Sequence, residues 1–137
     1  MIKVKWLLIA SLILIIFLSG CSGGAAVSAN LGEVFTIGVG QSALIKGEDM
    51  TVKFEEVIGD SRCPENVTCV WEGEASIRVA ITHKGINNTL VLNQPGHTEQ
   101  AEETFIDYIF TYSLNPYPRE GEQISPDEYR LTLTITK

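Results

Sequence analysis

The sequence predicts an all-β domain: an antiparallel, two-sheet, immunoglobulin-like sandwich of about seven strands. From Glu33 onward, short segments of alternating apolar and polar residues are separated by turn residues, and no segment keeps a helical period. About seven such segments in a domain of this size are typical of a two-sheet sandwich. The short connections favour antiparallel pairing, because a parallel crossover needs roughly a dozen residues or more. A small barrel is the competing architecture.

Most of the predicted strands show a run of alternating apolar positions. Val52 and Phe54 alternate with polar neighbours, and the doublet Glu55 and Glu56 then breaks the alternation as a β-bulge does. The tyrosines of the long strand near position 110 share the parity of their apolar neighbours, so we expect them to pack in the core. The apolar positions predicted to share a face within each strand are Phe35, Ile37, Val39, Val52, Phe54, Ile77, Val79, Ile81, Leu90, Leu92, Ile106, Tyr108, Phe110, Tyr112, Leu114, Tyr129, Leu131, Leu133 and Ile135.

Turn and loop residues mark the gaps between the strands. Residues 84–87 predict a hairpin turn, and residues 93–97 a loop. Residues 99–103 are expected to form one acidic helical turn. Residues 115–121 include two prolines, which donate no ladder hydrogen bond, so we expect the preceding strand to end there.

The N-terminus has the layout of a secretory signal. Lys3 and Lys5 precede a largely apolar run of thirteen residues, positions 6–18, and small residues follow it. That apolar run is short for a transmembrane helix, which needs roughly 20 residues. We therefore predict that residues 1–20 are a signal peptide and that the rest of the chain is exported.

The residues that close this signal, Leu18-Ser19-Gly20-Cys21, resemble the bacterial and archaeal lipobox. The resemblance implies cleavage after Gly20 and a lipid on Cys21. We then expect the protein at the cell membrane, facing the extracytoplasmic side at the cell surface or in the periplasm. Residues 21–32 are predicted to be a lipidated, flexible tether, and residues 33–137 the sandwich domain. The alternatives are an uncleaved N-terminal anchor, or ordinary cleavage near Ala26 or Ala29.

Composition limits the classes of partner. Without residues 1–20, 117 residues remain, enough for one domain, with eight basic against seventeen acidic residues and a net charge of −9. Such a charge disfavours nucleic acid and anionic lipid as direct partners. We expect attachment to the membrane through the lipid on Cys21 and, as a further partner, a protein of the envelope. The sequence indicates no cofactor.

Cys63 and Cys69 are the two cysteines that remain once Cys21 is assigned to the lipid. In an exported domain such a pair is expected to form a disulfide, here closing a loop of seven residues. Chain-entropy accounting assigns a loop of this size about 2 to 2.5 kcal/mol. A redox role is the alternative, although catalytic dithiols usually lie closer together at a helix N-terminus, and acidic neighbours raise a thiol pKa.

Metal binding is the other alternative for this stretch. A zinc site needs four ligands, and the chain has only two histidines, His83 and His97, in different segments. Calcium takes several oxygen ligands, and four carboxylates lie within fifteen residues, although without EF-hand spacing: Asp60, Glu65, Glu72 and Glu74. We favour a structural disulfide in a solvated acidic loop and assign no metal ligand.

The same stretch resembles known proteins. Residues 60–75, DSRCPENVTCVWEGEA, are similar to a D-S-R-C-P-x-x-V-x-C-x-W-x-G-x-A signature of uncharacterised secreted proteins and lipoproteins of prokaryotes. The closing DEYRLTLTIT is similar to the final strand of those proteins. The resemblance covers most of the mature domain and implies a β-sandwich with a stapled loop. It brings no assigned activity.

The sequence favours a binding module over an enzyme. It contains no G-x-S-x-G or H-E-x-x-H motif and no glycine-rich phosphate loop, and two histidines supply few general bases. We therefore predict a non-enzymatic binding or structural module of the envelope, because loops carry function on a rigid scaffold. The alternatives are an envelope protease inhibitor and a calcium-dependent binding module.

Two loops form the candidate binding surface: the disulfide loop, residues 60–71, and the proline-rich loop, residues 115–121. The residues in them predicted to contact a partner are Arg62, Trp71, Tyr117 and Arg119. Trp71 is also expected to pack beside the disulfide, whereas Tyr117 lies between two prolines and is expected to be exposed. Asn66 and Asn87 stand in N-x-T sequons, whose use depends on whether the host glycosylates exported proteins.

Overall fold

The computed structural model describes residues 25–137, which form two packed β-sheets. The predicted all-β sandwich is confirmed. The described chain has nine strands and one short 3₁₀ turn, Pro126–Glu128. In chain order the strands are β1 (Val27–Ala29), β2 (Val34–Gly38), β3 (Ser42–Ile45), β4 (Met50–Asp60), β5 (Glu74–His83), β6 (Ile86–Pro95), β7 (Ala101–Phe105), β8 (Tyr108–Asn115) and β9 (Arg130–Thr136).

The strands divide unequally between the two sheets. One sheet has five strands in the order β1-β3-β4-β5-β6, and the other has four in the order β2-β9-β8-β7. Every pairing is antiparallel except that of β1 with β3. Strands β4, β5 and β6 are the longest, with 11, 10 and 10 residues. They therefore set the height of the sandwich and fix where its loops project.

Strand β1 lies inside the segment predicted to be a tether. Val27–Ala29 pair in parallel with residues 43–45 of β3, and Ala29 is buried. The open edge of β3 offers these residues main-chain partners, and these hydrogen bonds stabilise an extended conformation. The small side chains of the segment alone do not indicate a strand. The tether prediction for residues 21–32 is therefore wrong over this stretch. The expectation of antiparallel pairing throughout is wrong for this one pair.

The core lies between the sheets and follows the alternation along each strand. In β5 and β9 every second residue is buried, and the residues between are more exposed. Tyr108 and Tyr112 are buried as predicted. Each phenol reaches a polar partner at the margin of the core: Tyr108 donates to the Glu48 carboxylate, and Tyr112 to the Asn93 carbonyl. Both rings thus fill the core without leaving a hydroxyl unpaired.

Two local predictions are confirmed by the pairing register. Strand β4 shifts against β5 between Phe54 and Glu56, where the glutamate doublet breaks the alternation. Lys84 and Gly85 form a two-residue hairpin turn between β5 and β6, and both have positive φ, as a type I′ turn requires. Both features depend on residues that are neighbours in sequence.

The acidic segment after β6 is a strand and not a helical turn. Residues 101–105 form β7, and each pairs with a residue of β8. That ladder satisfies main-chain groups that a single helical turn leaves open. Ile106, predicted to begin the next strand, lies instead in the turn between β7 and β8, with a φ of 56° and a side chain that is 60 % exposed.

Predictions about the N-terminal segment lie outside the described residues. They comprise the signal peptide at residues 1–20, the lipid on Cys21 and the first part of the tether. The described sandwich begins with β1 rather than at residue 33. Within residues 25–137, no helix has the length and apolar character needed to cross a membrane.

Candidate functional site

The predicted site residues gather at one end of the sandwich. We call it the stapled end, which consists of the loops 61–73, 96–100 and 116–129. The opposite end, the hairpin end, consists of the turns 46–49, 84–85 and 106–107. Because neighbouring strands run in opposite directions, loops that are far apart in sequence meet at each end. The predicted site residues at the stapled end are Arg62, Cys63, Cys69, Trp71, Tyr117 and Arg119.

Arg62 is the centre of the stapled end, and its side chain is fully buried. Its guanidinium binds the Asp60 carboxylate through two hydrogen bonds, from Nε to Oδ1 at 2.8 Å and from Nη2 to Oδ2 at 2.6 Å. It also donates to the carbonyls of Leu114, at 2.9 Å, and Pro116, at 3.1 Å. Its Cζ atom lies 4.8 Å from the centre of the Tyr117 ring. One buried cation therefore joins the end of β4 to the end of β8 and the proline-rich loop.

This burial corrects the prediction for Arg62. We expected an exposed contact residue in a binding loop, but the whole residue is only 3 % exposed. A buried arginine needs a paired carboxylate and further acceptors, and Asp60 together with two main-chain carbonyls supplies them. Arg62 therefore positions the loops rather than meeting a partner itself.

Asp60 is held in its charged form by two partners. Its partial burial by itself raises the pKa, but hydrogen bonds from Arg62 and the charge of that guanidinium outweigh burial, so the pKa lies below its ordinary value. Tyr129 donates its hydroxyl to Asp60 Oδ2 at 3.1 Å. Burial, followed by the charge of Asp60, raises the pKa of Tyr129 to about 12, so the phenol keeps its proton at neutral pH. Asp60 is thus engaged in structure and is not available as a general base.

Cys63 and Cys69 form the predicted disulfide, with their Cα atoms 5.9 Å apart. The loop that they close is paired at its base as well. The amide of Ser61 donates to the Glu74 carbonyl at 2.9 Å, and the amide of Cys63 donates to the Glu72 carbonyl at 2.8 Å. The loop is therefore fixed by a covalent bond and by a short continuation of the β4–β5 ladder.

The disulfide loop is also tied to the proline-rich loop beside it. The amide of Glu65 donates to the Pro118 carbonyl at 3.2 Å, and Asn66 Oδ1 accepts from the amide of Glu120 at 2.9 Å. Arg119, a predicted contact residue, forms an exposed ion pair with Glu65 at 3.3 Å. Since exposed pairs contribute little to stability, Arg119 remains free to change partner.

Two glycines allow three segments of backbone to cross closely at this end. Gly73 has a φ of 67°, and a Cβ at this position overlaps the Ser61 carbonyl. A Cβ at Gly96 overlaps the Glu72 carbonyl in the same way. The amide of Gly96 donates to the Gly73 carbonyl at 2.9 Å, which joins the loop after β6 to the base of the disulfide loop. Glycine at position 73 is therefore required by sterics as well as by conformation.

Val70 and Trp71 are the most exposed large apolar side chains at the stapled end, at 91 % and 82 %. The prediction that Trp71 packs beside the disulfide is therefore wrong. Both residues lie directly after the bridge, in bends that belong to no strand. An exposed aromatic residue next to an exposed aliphatic one, on a loop fixed at its base, is typical of a binding surface.

Tyr117 lines a shallow cleft beside the disulfide loop. The cleft has a volume of about 270 Å³ and is lined by Glu65, His97, Thr98, Glu99 and Tyr117. Tyr117 is half-buried, because one face of its ring meets Arg62 and its hydroxyl accepts a hydrogen bond from the amide of His97 at 3.1 Å. The tyrosine predicted to be an exposed contact therefore offers only part of its ring to a partner.

Gln94 is a buried residue of this end that sequence reasoning missed. Its Oε1 accepts from the amide of Leu114 at 2.7 Å, and its Nε2 donates to the Thr98 carbonyl at 2.8 Å. It thereby links β6 to β8 across the core margin. The signal was the alternation of Leu90 and Leu92, which continues to position 94 and places that side chain on the inner face. We had assigned residues 93–97 to a loop.

The carboxylates of this region do not come together as a metal site. Among residues 25–137, no group of three or more His, Cys, Asp or Glu side chains is arranged to hold a metal ion. His97 lies at the stapled end, whereas His83 is buried near the hairpin end, edge-on to the Tyr108 ring at 5.5 Å. Asp60 is committed to Arg62, and Glu65 pairs with Arg119.

At the stapled end, buried polar groups hold backbone in place. The exposed groups include one apolar tip, Arg119 and several separate carboxylates. No protein-family model, no curated protein and no solved structure matches this chain.

Proposed function

We propose that this protein is a lipid-anchored, extracytoplasmic β-sandwich that binds an envelope protein through its stapled end and catalyses no reaction. The signal-like N-terminus and the lipobox-like residues before Cys21 support export and anchoring. The disulfide between Cys63 and Cys69 supports the same location, because such bonds persist in oxidising compartments.

The observation that carries the proposal is the exposure of Val70 and Trp71 on a loop that is otherwise rigid. A disulfide closes the loop, ladder hydrogen bonds pair its base, and Arg62 fixes the backbone beside it. A pre-ordered loop loses little conformational entropy when it binds, so an apolar tip of this kind retains more of its burial energy as affinity. Tryptophan is also among the residues most enriched in interface hot spots.

Charge favours a protein partner over a lipid surface. Glu65 and Glu72 lie in the same loop as the apolar tip and Glu74 begins the strand after it, and the described chain carries eight basic against seventeen acidic residues. Anionic lipid headgroups repel such a surface. A partner with an apolar pocket and a neutral or basic rim complements it. Arg119, whose exposed pair with Glu65 is easily exchanged, provides a guanidinium at the edge of this surface.

Inhibition of an envelope protease is the second candidate, favoured by the double fastening of the disulfide loop. Its amide at Glu65 and its side chain at Asn66 both bind the proline-rich loop. Loops that enter protease clefts change little in shape on binding, and a doubly fastened loop meets that condition. A panel of proteases, assayed with micromolar protein, separates the candidates: saturable inhibition that is lost in Trp71→Ser favours this function over simple docking.

The binding proposal is tested by crosslinking in intact cells. A photoreactive residue at position 70 is expected to capture one protein reproducibly, and the capture is expected to fall at least tenfold when Trp71→Ser is added. The same photoreactive residue at Val34, which is 65 % exposed on β2, serves as the matched control and should not capture that protein. Equal capture from both positions, or capture that ignores Trp71→Ser, contradicts the proposal.

The anchor is tested separately with Cys21→Ser. The unaltered protein is expected in the membrane fraction, with a mass that shows loss of residues 1–20 and gain of acyl chains. Cys21→Ser should abolish the acylation and shift the mature protein out of that fraction. Retention of residues 1–20 in the unaltered protein contradicts lipoprotein processing, whatever the crosslinking shows.

A further inference from the structure

The outer edge of β6 is the longest open strand edge in the described sandwich. β6 (Ile86–Pro95) is the last strand of the five-stranded sheet, and no strand within residues 25–137 pairs with its outer side. Its ten residues, INNTLVLNQP, include no charged residue, and proline occurs only at the last position. Its register with β5 is regular from Glu74–Pro95 to His83–Ile86, without a bulge.

The hairpin geometry shows which main-chain groups of β6 face outward. A two-residue turn makes the flanking pair, His83 and Ile86, a hydrogen-bonded pair. Alternate residues of β6 from Ile86 onward therefore bond to β5, and the residues between them point their amides and carbonyls away from the sheet. Those outward residues are Asn87, Thr89, Val91 and Asn93. The Asn93 carbonyl confirms the alternation, since it accepts the Tyr112 hydroxyl from outside the ladder at 2.8 Å.

An unprotected edge of this length is unusual in a native protein. Proteins normally block such edges with charged side chains, prolines, bulges or short strands, because free amides and carbonyls recruit other strands. The neighbouring edge strand, β7, follows that rule: it has five residues, two of them glutamates. The edge of β6 has none of these protections over Asn87, Thr89 and Val91, although the chain as a whole is strongly acidic. A row of unpaired main-chain amides and carbonyls is complementary to an extended strand.

Charge beside the edge indicates which kind of strand fits. Glu103 lies on β7, the strand of the opposite sheet that comes nearest to β6, and it shares the inner face of that strand with Ala101 and Phe105. Burial is the main cause that raises the pKa of Tyr112 to about 12, and the negative charge of nearby Glu103 is the second cause. The same hydroxyl is bonded to the Asn93 carbonyl, so negative charge stands next to the outward face of β6. A strand laid on β6 thus meets the Glu103 carboxylate on its side toward the four-stranded sheet.

We propose that β6 is a docking edge for an extended, basic segment of another protein, which adds to the five-stranded sheet as a sixth strand. The main-chain groups of Asn87, Thr89 and Val91 form the new ladder, and a Lys or Arg side chain of the guest faces Glu103. A second copy of this chain fits less well, because pairing two β6 edges brings together two acidic molecules and supplies no cation to Glu103. The surface is separate from the stapled loops and does not depend on the lipid anchor.

The probe for this proposal is a displayed library of random decapeptides, selected against the full-length protein purified from membranes in detergent. The enriched peptides are expected to contain Lys or Arg among alternating β-forming residues. On binding, they are expected to slow hydrogen exchange at the amides of Asn87, Thr89 and Val91. Selection of no binder, or of binders that protect the region of Val70 and Trp71 instead, overturns the proposal.

Matched variants separate edge pairing from a general effect on folding. Thr89→Pro removes an outward amide from β6 without removing a bond to β5, and it is expected to weaken peptide binding at least tenfold. Thr104→Pro is the control, since the amide of Thr104 on β7 also points outward, donating to its neighbour Glu103. Thr104→Pro should change the affinity for the peptide by no more than about twofold, because Thr104 forms no ladder hydrogen bond with the guest strand.

Two further variants keep the backbone unchanged. Thr89→Lys is expected to repel a basic peptide and weaken its binding severalfold, whereas Thr104→Lys, on β7 of the other sheet, should weaken binding less. Glu103→Gln should reduce the dependence of affinity on salt concentration. Sedimentation of the unaltered protein without peptide tests whether β6 pairs with a second copy of the chain. A dimer that dissociates in Thr89→Pro assigns the edge to a second copy and overturns the proposed partner.

Discussion

At the hairpin end, the turns at residues 84–85 and 106–107 have two residues each, whereas the loops 61–73 and 116–129 at the stapled end are several times longer. Short hairpins need no outside help, because their main-chain bonds belong to the flanking ladder. Long loops leave such groups open, and at the stapled end side chains bind them. Arg62, Gln94 and Asn66 all accept or donate to backbone atoms of another loop or strand.

The two ends also place their charges differently. At the hairpin end, Glu48 pairs with Lys137 at 3.6 Å, and the lysine side chain is 53 % exposed. At the stapled end, Asp60 and Arg62 pair with side chains that are 7 % and 0 % exposed. A buried pair is costly to form but very costly to leave half-formed, whereas an exposed pair is nearly neutral. The stability of the stapled end should therefore depend on a few buried groups, and the stability of the hairpin end on its turns.

The largest expected effect comes from Arg62→Ala, which removes the cationic partner of the buried Asp60 carboxylate and the donor to two carbonyls. We expect a loss of about 3 to 5 kcal/mol in the free energy of unfolding, measured with urea. The control is Arg78→Ala, because Arg78 pairs with Glu56 on the sheet surface with side chains 40 % and 51 % exposed. Its loss should be below about 1 kcal/mol. Equal losses for the two variants break the contrast between buried and exposed pairs.

Removal of the disulfide should have the next largest effect. The double variant Cys63→Ser with Cys69→Ser is expected to lose about 2 kcal/mol, because the unfolded chain gains the freedom of an open seven-residue loop. Amide exchange in residues 61–73 should quicken while exchange at the turn 84–85 stays unchanged. Faster exchange at both ends contradicts the local role given to the disulfide.

A stabilising change is expected at the hairpin end. Ile106 is a β-branched residue with a φ of 56° and an exposed side chain, so Ile106→Gly relieves backbone strain and sacrifices little burial. We expect a gain of roughly 0.5 to 1 kcal/mol in thermal or urea unfolding. Ile109→Gly, at an exposed position in the ladder of the same hairpin, is the control and should lose about as much. A loss in both variants shows that Ile106 carries no strain.

The smallest expected effect near neutral pH comes from Asp60. Its pKa is lower in the folded protein than in the unfolded chain, so its contribution to stability is complete above roughly pH 4, the unfolded value, and declines as the pH falls through the folded value. Stability should therefore change little from this group between pH 7 and pH 5 and fall below roughly pH 4. Asp60→Asn should lack that part of the acid loss. An identical acid profile in the variant contradicts the depressed pKa.

Local patterns predicted most of the fold. The alternation in Leu131, Leu133 and Ile135 identified β9, and the glutamate doublet identified the bulge in β4. β1 and β7 were not predicted as strands, because their pairing depends on an edge offered by another strand and not on a pattern in their own residues. Ala101 and Phe105 face inward, but the glutamates between them resemble a solvated turn.

The candidate site was predicted in part. The position of the site and its disulfide followed from cysteine spacing in an exported chain, and Trp71 and Arg119 were found in exposed loops as proposed contacts require. Arg62 was predicted to be exposed, but it is buried. Its burial results from acceptors at Leu114 and Pro116, more than fifty residues away in sequence, which no local pattern brings near.

The sequence by itself determined the class of fold, the faces of the main strands and the pairing of the two cysteines. These follow from alternation and from chemistry between near neighbours, which a linear chain records directly. Only the tertiary structure decided that Arg62 is buried, that Val70 and Trp71 are exposed and that β6 is left as an open edge. Burial and exposure depend on which distant segments meet, because a charge is buried only where partners from elsewhere in the chain surround it.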